Sequence, residues 1–100
     1  MAQAHYDDLF HRKYRSRIKI MGEILNIVAN NTGNNNYING TRIMYKAMLS
    51  CSQLKDYLSV LVESRLLENN NSKDKSNYGI TQNGMNFLRI YNDTDRFISV

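Results

Sequence analysis

Proline is absent from this chain, cysteine occurs once, and no long hydrophobic run is present. A single thiol, that of Cys51, cannot form an internal disulfide, which excludes a disulfide-stabilised secreted scaffold. No segment approaches the roughly 20 consecutive apolar residues of a membrane-spanning helix. The first 15 residues carry charges and lack the apolar stretch of a secretory signal. We therefore expect an intracellular, cytoplasmic protein with no membrane partner.

Because proline marks no boundary, asparagine and glycine are the main indicators of loops. They are concentrated at 30–40 and 69–71, which predicts loops in both places. The length of 100 residues fits one domain, and an apolar fraction of 42% suffices for a small core. The net charge is +4, with five basic residues and no acidic one between Arg12 and Lys19. This basic region suits contact with a polyanion, and a solvated helix face is the alternative.

Apolar residues recur at helical spacing before and after the first Asn-rich stretch. The segment from Ile18 to Val28 is apolar on more than one side, which predicts a core helix that ends at 30–33. A second helix begins with Thr41 as its N-cap and extends to about Met48.

A short turn at Leu49–Cys51 separates the second helix from a third helix at 52–64, which has Ser50 or Ser52 as its N-cap. One face of this third helix carries Leu54, Leu58 and Leu61 and would anchor the helix to the core. The opposite face is polar. A short helix, a tight turn and an anchored amphipathic helix are typical of a helix-turn-helix motif, which offers one helix to a DNA groove.

A small sheet is predicted next to this motif. One strand begins at 66–67 and another lies at 78–80, with the nine polar residues 69–77 as the tip of the hairpin between them. A short extended piece at 37–38 is placed to pair with this hairpin. The hairpin would form a basic wing beside the third helix.

The last helix is predicted to begin after its N-cap, Thr81, and to extend to Tyr91 or beyond. The polar segment 92–95 is either a break or a solvated turn of that helix. Because an exposed apolar helix commonly finds a partner, we expect a homodimer through it; folding back onto the first helix is the alternative. The candidate dimer contacts are Met85, Leu88, Tyr91, Phe97 and Ile98.

These elements predict a mainly α, α+β fold: a winged helix-turn-helix with a three-helix core, a small β-hairpin wing and a C-terminal helix. The domain is expected to span 17–91. Residues 1–16 form a basic N-terminal arm or an extension of the first helix. Residues 92–100 form the end of the C-terminal helix or a tail, with a dimer contact.

Three segments carry a resemblance to a known family: RSRIKIMGEILNIV, TRIMYKAMLSCSQLKDYLSVLVESRLLE and YGITQNGMNFL. Together they resemble the archaeal winged helix-turn-helix regulators, which include small crenarchaeal chromatin proteins that dimerise through a long coiled coil. The resemblance spans roughly Arg15 to Tyr91 and implies DNA binding by the third helix and the wing, usually as a dimer. Because the chain ends soon after Gly84, we expect a shorter dimer interface than that coiled coil.

In a winged helix the N-terminal half of the third helix enters the major groove. Glutamine can form two hydrogen bonds with adenine, and lysine can reach guanine or phosphate. An aspartate repels phosphate, so it either accepts from a cytosine amine or pairs with a neighbouring cation. The candidate residues are Ser52, Gln53, Lys55, Asp56 and Ser59, and their alternative role is an ordinary solvated face.

Other candidate contacts are to the DNA backbone. The helix before the turn crosses the backbone in such motifs, and its N-terminal amides suit phosphate. Wing lysines would follow the minor groove or its phosphates, which adds affinity more than base specificity. The N-terminal cations form either an arm on adjacent phosphates or a solvated helix face. The candidates are Thr41, Arg42 and Lys46 on the second helix, Lys73 and Lys75 in the wing, and Arg15 and Arg17 near the N-terminus.

The sequence offers no convincing constellation for catalysis or metal binding. His5 and His11 lack the spacing of two ligands on one helix, and Cys51 is distant from both. There is no glycine-rich phosphate loop and no nucleophile elbow. We therefore expect no enzymatic activity, no cofactor, no metal and no small-molecule substrate.

Three functions fit this sequence. The first is a transcription regulator that binds operator DNA, and the second is an architectural, chromatin-like binder with little sequence preference. Double-stranded DNA is the partner in both, and a nucleoid-associated location follows. The third is a winged-helix module that contacts protein, which the acidic residues Asp56, Glu63 and Glu68 keep open.

Overall fold

The computed structural model describes residues 16–31, 37–72 and 75–98, with side chains described in 16–31, 37–70 and 76–94. It contains the predicted helices and strands in the predicted order. They are α1 (Arg17–Ala29), β1 (Ile38–Asn39), α2 (Gly40–Ala47), α3 (Cys51–Glu63), β2 (Leu67–Ser72), β3 (Lys75–Ile80) and α4 (Gln82–Ile98). Within these ranges, no helix is both long and apolar enough to cross a bilayer.

Helix α1 is the central helix of the core. The hydroxyl group of Ser16 caps it by accepting a 3.1 Å hydrogen bond from the Lys19 backbone N–H. Its buried face contains Ile24 and Val28, as predicted, and α1 packs against α2, β3 and α4. Ile18, which was also expected on the apolar face, is 55% exposed, and its neighbours Arg17 and Lys19 in the first turn of the helix are exposed as well.

Helix α2 begins earlier than the sequence suggested. Its N-cap is Asn39, whose side-chain oxygen accepts a 2.7 Å hydrogen bond from the Thr41 backbone N–H. The prediction that Thr41 is the cap is wrong, because β1 pairs with β3 only as far as Asn39 and the helix starts immediately after it. Helix α2 ends at Ala47, and Met48 follows with φ 58° and ψ 48° in the left-handed region.

Helix α3 has Ser50 as its N-cap, which is one of the two caps that the sequence allowed, and Cys51 is the first residue of the helix instead of part of the turn. The Ser50 hydroxyl accepts from the Gln53 backbone N–H, while the Gln53 side-chain oxygen accepts from the Ser50 backbone N–H, both at 3.1 Å. This reciprocal pair is a capping box, which satisfies two amides at the start of the helix. The leucines expected to anchor α3 are all buried, namely Leu54, Leu58 and Leu61.

The three strands form one antiparallel sheet in the order β1-β3-β2. The predicted pairing of the 37–38 segment with the wing is confirmed by the register Ile38↔Tyr78. The predicted tip of nine residues is wrong, because β2 and β3 remain paired from Leu67↔Ile80 to Ser72↔Lys75. Polar residues suit these strands, since an antiparallel hairpin that projects from the core is solvated and needs no apolar face along its whole length.

Helix α4 begins after Thr81, whose hydroxyl group accepts a 3.0 Å hydrogen bond from the Gly84 backbone N–H. The helix is continuous through 92–95, so the polar segment is a helical turn and not a break. Asn92 lies on the side that faces α1 and exchanges side-chain hydrogen bonds with Asn26 at 3.1 and 3.3 Å. The C-terminal helix therefore packs back onto the first helix, which is one of the two alternatives that the sequence left open.

Candidate nucleic-acid interface

The N-terminal half of α3 presents a polar surface. Helical spacing aligns Ser52, Asp56 and Ser59 along one exposed ridge that continues to Glu63. The leucines on the opposite face hold the helix against the core, so these side chains remain accessible. All five residues predicted on this helix are exposed, namely Ser52, Gln53, Lys55, Asp56 and Ser59.

A groove of about 280 Å³ separates α3 from the wing. Lys55, Ser59 and Glu63 line its helical side, and Asn69 and Tyr78 line its strand side. The helix and the wing predicted to contact DNA thus lie on either side of one concave surface.

Sequence reasoning did not place Asn69 and Tyr78 in this surface. The two residues face each other across the β2–β3 ladder, two positions from the Leu67↔Ile80 pair. Side chains two residues apart in a strand share a face. Alternation counted from Leu67 would therefore have indicated that Asn69 lies on the same face.

Gln53 is less free than the sequence suggested. Its side-chain oxygen is committed to the Ser50 backbone N–H in the capping box. The expected pair of hydrogen bonds to adenine would need that oxygen at the base edge. The S-x-x-Q pattern from Ser50 to Gln53 is a recognised capping signature and would have revealed this contact.

Helix α2 exposes the three polar residues predicted for backbone contacts, Thr41, Arg42 and Lys46. The Thr41 amide, however, is already hydrogen-bonded to Asn39, so it is not one of the amides left for phosphate. Tyr45 is 73% exposed and Met48 is 83% exposed, so both enlarge this surface next to the turn.

Arg17 connects α1 to α3. Its guanidinium carbon lies 5.8 Å from the centroid of the Tyr57 ring, within the range of a cation–π interaction. The side chain is exposed, so its charge remains accessible beside α3. Lys75 begins β3 opposite Ser72. Arg15 and Lys73, the other two predicted contacts in these regions, lie outside the described residues.

A second groove lies on the other side of the sheet, between the end of α1 and the strands, and Ala29, Tyr37 and Glu68 are among its lining residues. The Tyr37 hydroxyl donates a 3.1 Å hydrogen bond to Glu68 Oε2. This hydrogen bond, then the charge of Glu68, then burial raise the pKa of Tyr37 above its usual value of 10.0. The carboxylate of Glu68 is thus hydrogen-bonded to Tyr37 in this second groove, and Glu68 is not among the residues that line the groove beside α3.

The residues predicted for a dimer contact on α4 have different environments. Met85 is 47% exposed, whereas Leu88 is only 6% exposed because it belongs to the core of its own chain. Leu88 is therefore not available to a partner, which corrects the prediction. Tyr91 is half-buried against α1, beside Gly22. Ile90, which sequence reasoning did not select, is 65% exposed. The side chains of the remaining candidates, Phe97 and Ile98, lie outside the description.

Candidate metal ligands do not cluster within the described ranges. No group of three or more His, Cys, Asp or Glu side chains in them could hold a metal ion. Cys51 is exposed and is the first residue of α3. His5 and His11, which the sequence did not favour as metal ligands, lie outside these ranges.

Similar folds occur among solved structures. The DNA-binding protein Sso10a-2 from Sulfolobus solfataricus superposes with a TM-score of 0.72 at 23% identity, over 85% of this chain and 83% of that one. The PcaV transcriptional regulator from Streptomyces coelicolor, in complex with its natural ligand, gives 0.66 at 18% identity, over 98% and 72%. A mutant of S. aureus MepR bound to an oligodeoxyribonucleotide gives 0.63 at 11% identity, over 99% and 82%.

A search of curated protein sequences finds no match. A family profile, in contrast, matches nearly the whole chain. It is described as winged helix-turn-helix and matches residues 14–99, which include every helix and strand given above. The order of elements, the three-stranded sheet and this match agree, and the chain belongs to the winged helix-turn-helix family.

Proposed function

We propose that this protein binds double-stranded DNA as a transcription regulator. Helix α3 enters the major groove with its N-terminal half, and the wing contacts phosphates or the minor groove. The observation that carries this proposal is the common concave surface of α3 and the wing, lined by Lys55 and Ser59 on one side and Asn69 on the other. The role is binding without catalysis, in the cytoplasm and on the nucleoid.

Helix–groove geometry supports this assignment. The major groove of B-DNA is about 12 Å wide and admits one α-helix, provided that the helix is anchored from behind and polar in front. Helix α3 meets both conditions, since Leu54 and Leu58 are buried and Ser52 and Lys55 are exposed. Arg42 and Lys46 of α2 are then available for the DNA backbone, and we propose the same role for Lys73 and Lys75 of the wing.

Electrostatics also supports a polyanionic partner. The chain has a net charge of +4, and Arg17 keeps an exposed guanidinium beside Tyr57 of α3. Arg15 would extend this basic edge. The similar structures are those of a DNA-binding protein, a transcriptional regulator and a MepR mutant bound to an oligodeoxyribonucleotide. Because their identities with this chain are low, they support the proposal through the fold.

We further propose a homodimer through α4. Ile90 is an exposed apolar residue on this helix, and we place Phe97, about two helical turns later in the sequence, in the same contact. Met85 is also exposed, but about 140° around the helix from Ile90. A two-fold dimer would present two α3 helices to half-sites spaced by about 34–36 Å, one turn of the duplex, or by a multiple of it. Leu88 and Tyr91 would support this interface from behind, by fixing α4 on α1.

A protein-binding role is the second candidate, and the acidic ridge on α3 favours it. Asp56 and Glu63 are exposed on the face that would approach DNA, where carboxylates meet phosphate unfavourably. A basic protein surface would pair with them instead. The DNA titration below separates the two candidates.

The test is a fluorescence-anisotropy titration of random-sequence duplex DNA at about 50 and 200 mM salt, because contacts to phosphate weaken steeply between these concentrations. The wild type is compared with Lys55→Ala/Lys73→Ala. Arg89→Ala is the control, since it removes one exposed positive charge from α4, outside the proposed surface.

We expect the affinity of the wild type to fall steeply with salt and the double variant to bind every sequence more weakly. The plot of log affinity against log salt concentration has a negative slope, and each lost phosphate contact makes that slope shallower by about one. Arg89→Ala should retain the wild-type slope. An absence of wild-type binding at the lower salt concentration would contradict the proposal and favour the protein-binding module. Steep salt dependence, together with no preferred site after selection from a pool of random duplexes, would indicate the architectural role.

A further inference from the structure

Gln53 lies both in the proposed major-groove surface and in the capping box of α3. Its side-chain oxygen, Oε1, accepts a hydrogen bond from the Ser50 backbone N–H, and its own backbone N–H donates to the Ser50 hydroxyl. The side chain is nevertheless exposed. Its amide nitrogen, Nε2, has no hydrogen-bond partner among the residues that the structure describes.

The capping box fixes the direction of this amide. With Oε1 turned towards the end of its own helix, the Nε2 group is the part of the amide left for another molecule. A pair of hydrogen bonds to adenine requires the oxygen and the nitrogen to face the same base edge, because the oxygen must accept from the adenine amine. The capping box turns the oxygen towards the end of the helix and away from such a contact, so the group that Gln53 presents to a base is the Nε2 donor.

We propose that Gln53 is a specificity-determining residue that selects guanine through Nε2, and that its hydrogen bond with Ser50 determines this choice. This inference rests on the proposed DNA-binding function. Guanine presents two acceptors, N7 and O6, in the major groove, whereas adenine presents a donor amine where guanine has O6. Cytosine presents a donor, and thymine presents its one acceptor beside a methyl group. A donor-only side chain therefore fits guanine best.

A glutamate at this position provides a matched test. One carboxylate oxygen can accept from the Ser50 backbone N–H, as in the common S-x-x-E capping box, and the other then faces outward as an acceptor. Gln53→Glu thus keeps the box and inverts the exposed group from donor to acceptor. A carboxylate accepts from the cytosine amine. Gln53→Ala removes both the box and the contact.

The experiment selects preferred sites for the full-length wild type from a pool of random duplexes. Anisotropy titrations with the wild type, Gln53→Glu and Gln53→Ala then use duplexes that differ at one base pair of the selected site. Thermal unfolding of the three proteins without DNA reports on the capping box separately. Affinities are compared as ratios between bases, since the added negative charge of glutamate weakens binding to all sequences alike.

We expect one position where the wild type prefers guanine by about tenfold, the size of one hydrogen bond to a base. Gln53→Glu should prefer cytosine at that position and should unfold at the wild-type temperature or above it. Gln53→Ala should lose the preference there and unfold at a lower temperature.

Other results would overturn the inference while leaving DNA binding intact. A wild-type preference for adenine that disappears in Gln53→Ala would mean that Oε1 does take part in the base contact. Identical preferences in all three proteins would make Gln53 a helix cap only, as would wild-type binding without any base preference. Wild-type protein that binds no DNA would instead refute the proposed function itself.

Discussion

The hydroxyl group of Thr81 donates a 2.6 Å hydrogen bond to the carbonyl oxygen of Arg65 and so joins the start of α4 to the turn after α3. The same hydroxyl accepts from the Gly84 backbone N–H at 3.0 Å. Arg65 has a φ of 63°, in the left-handed region, which is unfavourable for a residue with a side chain. One side chain thus caps the last helix and fixes the turn by which α3 leads into the wing.

Removing this hydroxyl should weaken the fold. Thr81→Ala loses the helix cap and the contact with Arg65, so we expect the free energy of unfolding in urea to fall by about 1–2 kcal/mol. Thr81→Ser is the matched control, since it keeps the hydroxyl group and should stay within about 0.5 kcal/mol of the wild type. Equal losses in the two variants would show that the methyl group, and not the hydroxyl, matters.

The close contact between Gly22 and Tyr91 leads to a second prediction. A Cβ atom at position 22 would overlap the Tyr91 ring. Gly22→Ala should therefore destabilise the protein by about 1–3 kcal/mol in urea unfolding, although alanine is the better helix former. In the background of Tyr91→Ala the same substitution should cost much less, because the ring is gone. An equal cost in both backgrounds would mean that the ring is not what excludes a side chain here.

Much of this architecture is predictable because apolar spacing alone determines it. The buried leucines Leu54, Leu58 and Leu61 and the core face of α1 follow directly from helical periodicity. The same spacing cannot tell which surface an apolar residue will meet. Leu88 was therefore expected at a partner although it contacts its own core, and Ile90, on a mostly polar side of α4, was not selected.

Local boundaries depend on tertiary pairing, which a single sequence does not contain. Asn39 and Thr41 are both good N-caps, and the choice falls on Asn39 because β1 pairs with β3 just before it. The polar strands of the wing have low intrinsic β propensity, so only their pairing, from Leu67↔Ile80 to Ser72↔Lys75, makes them strands. For the candidate site, the exposed residues were predictable, but the capping role of Gln53 was missed despite its local signature.

Met48 offers a position where the protein should become more stable. It follows α2 with φ 58° and is 83% exposed, so it has the conformation of a C-terminal glycine while its side chain contributes little burial. Met48→Gly should raise the free energy of unfolding by about 0.5–1 kcal/mol, because it removes the cost of the left-handed backbone. Lys46→Gly, within the same helix, should lower it by a similar amount, about 1 kcal/mol. A loss of stability in Met48→Gly would show that the methionine side chain is needed at the turn.

The contact between Tyr37 and Glu68 predicts a pH dependence at high pH. Its hydrogen bond raises the pKa of Tyr37 in the folded protein above the usual 10.0. The stabilisation is therefore fully present below the pKa of an unfolded tyrosine and is lost as the pH rises through the raised, folded-state pKa. The stability advantage of the wild type over Tyr37→Phe should shrink when urea unfolding is repeated at pH values rising from about 8 to about 11.

A control for this prediction is Tyr45→Phe, which removes the hydroxyl of an exposed tyrosine outside the contact. Comparing two single-hydroxyl variants cancels the general effects of high pH on the lysines and the other tyrosines. If the difference between wild type and Tyr37→Phe stays constant over the whole range, the hydrogen bond to Glu68 does not contribute to stability.

The proposed dimer should depend on Ile90. This residue is 65% exposed, so Ile90→Glu can place a charge there without disturbing the core of the chain. If α4 forms the interface, burying that carboxylate against an apolar partner is strongly unfavourable. We expect Ile90→Glu to be monomeric by light scattering coupled to size-exclusion chromatography at concentrations where the wild type is a dimer. Gln82→Glu adds the same charge at the exposed start of α4 and should remain a dimer. A wild-type monomer, or a dimer that tolerates Ile90→Glu, would exclude this interface. If the variant is monomeric and also binds long DNA duplexes less tightly than the wild type, the dimer is what allows two half-sites to be bound at once.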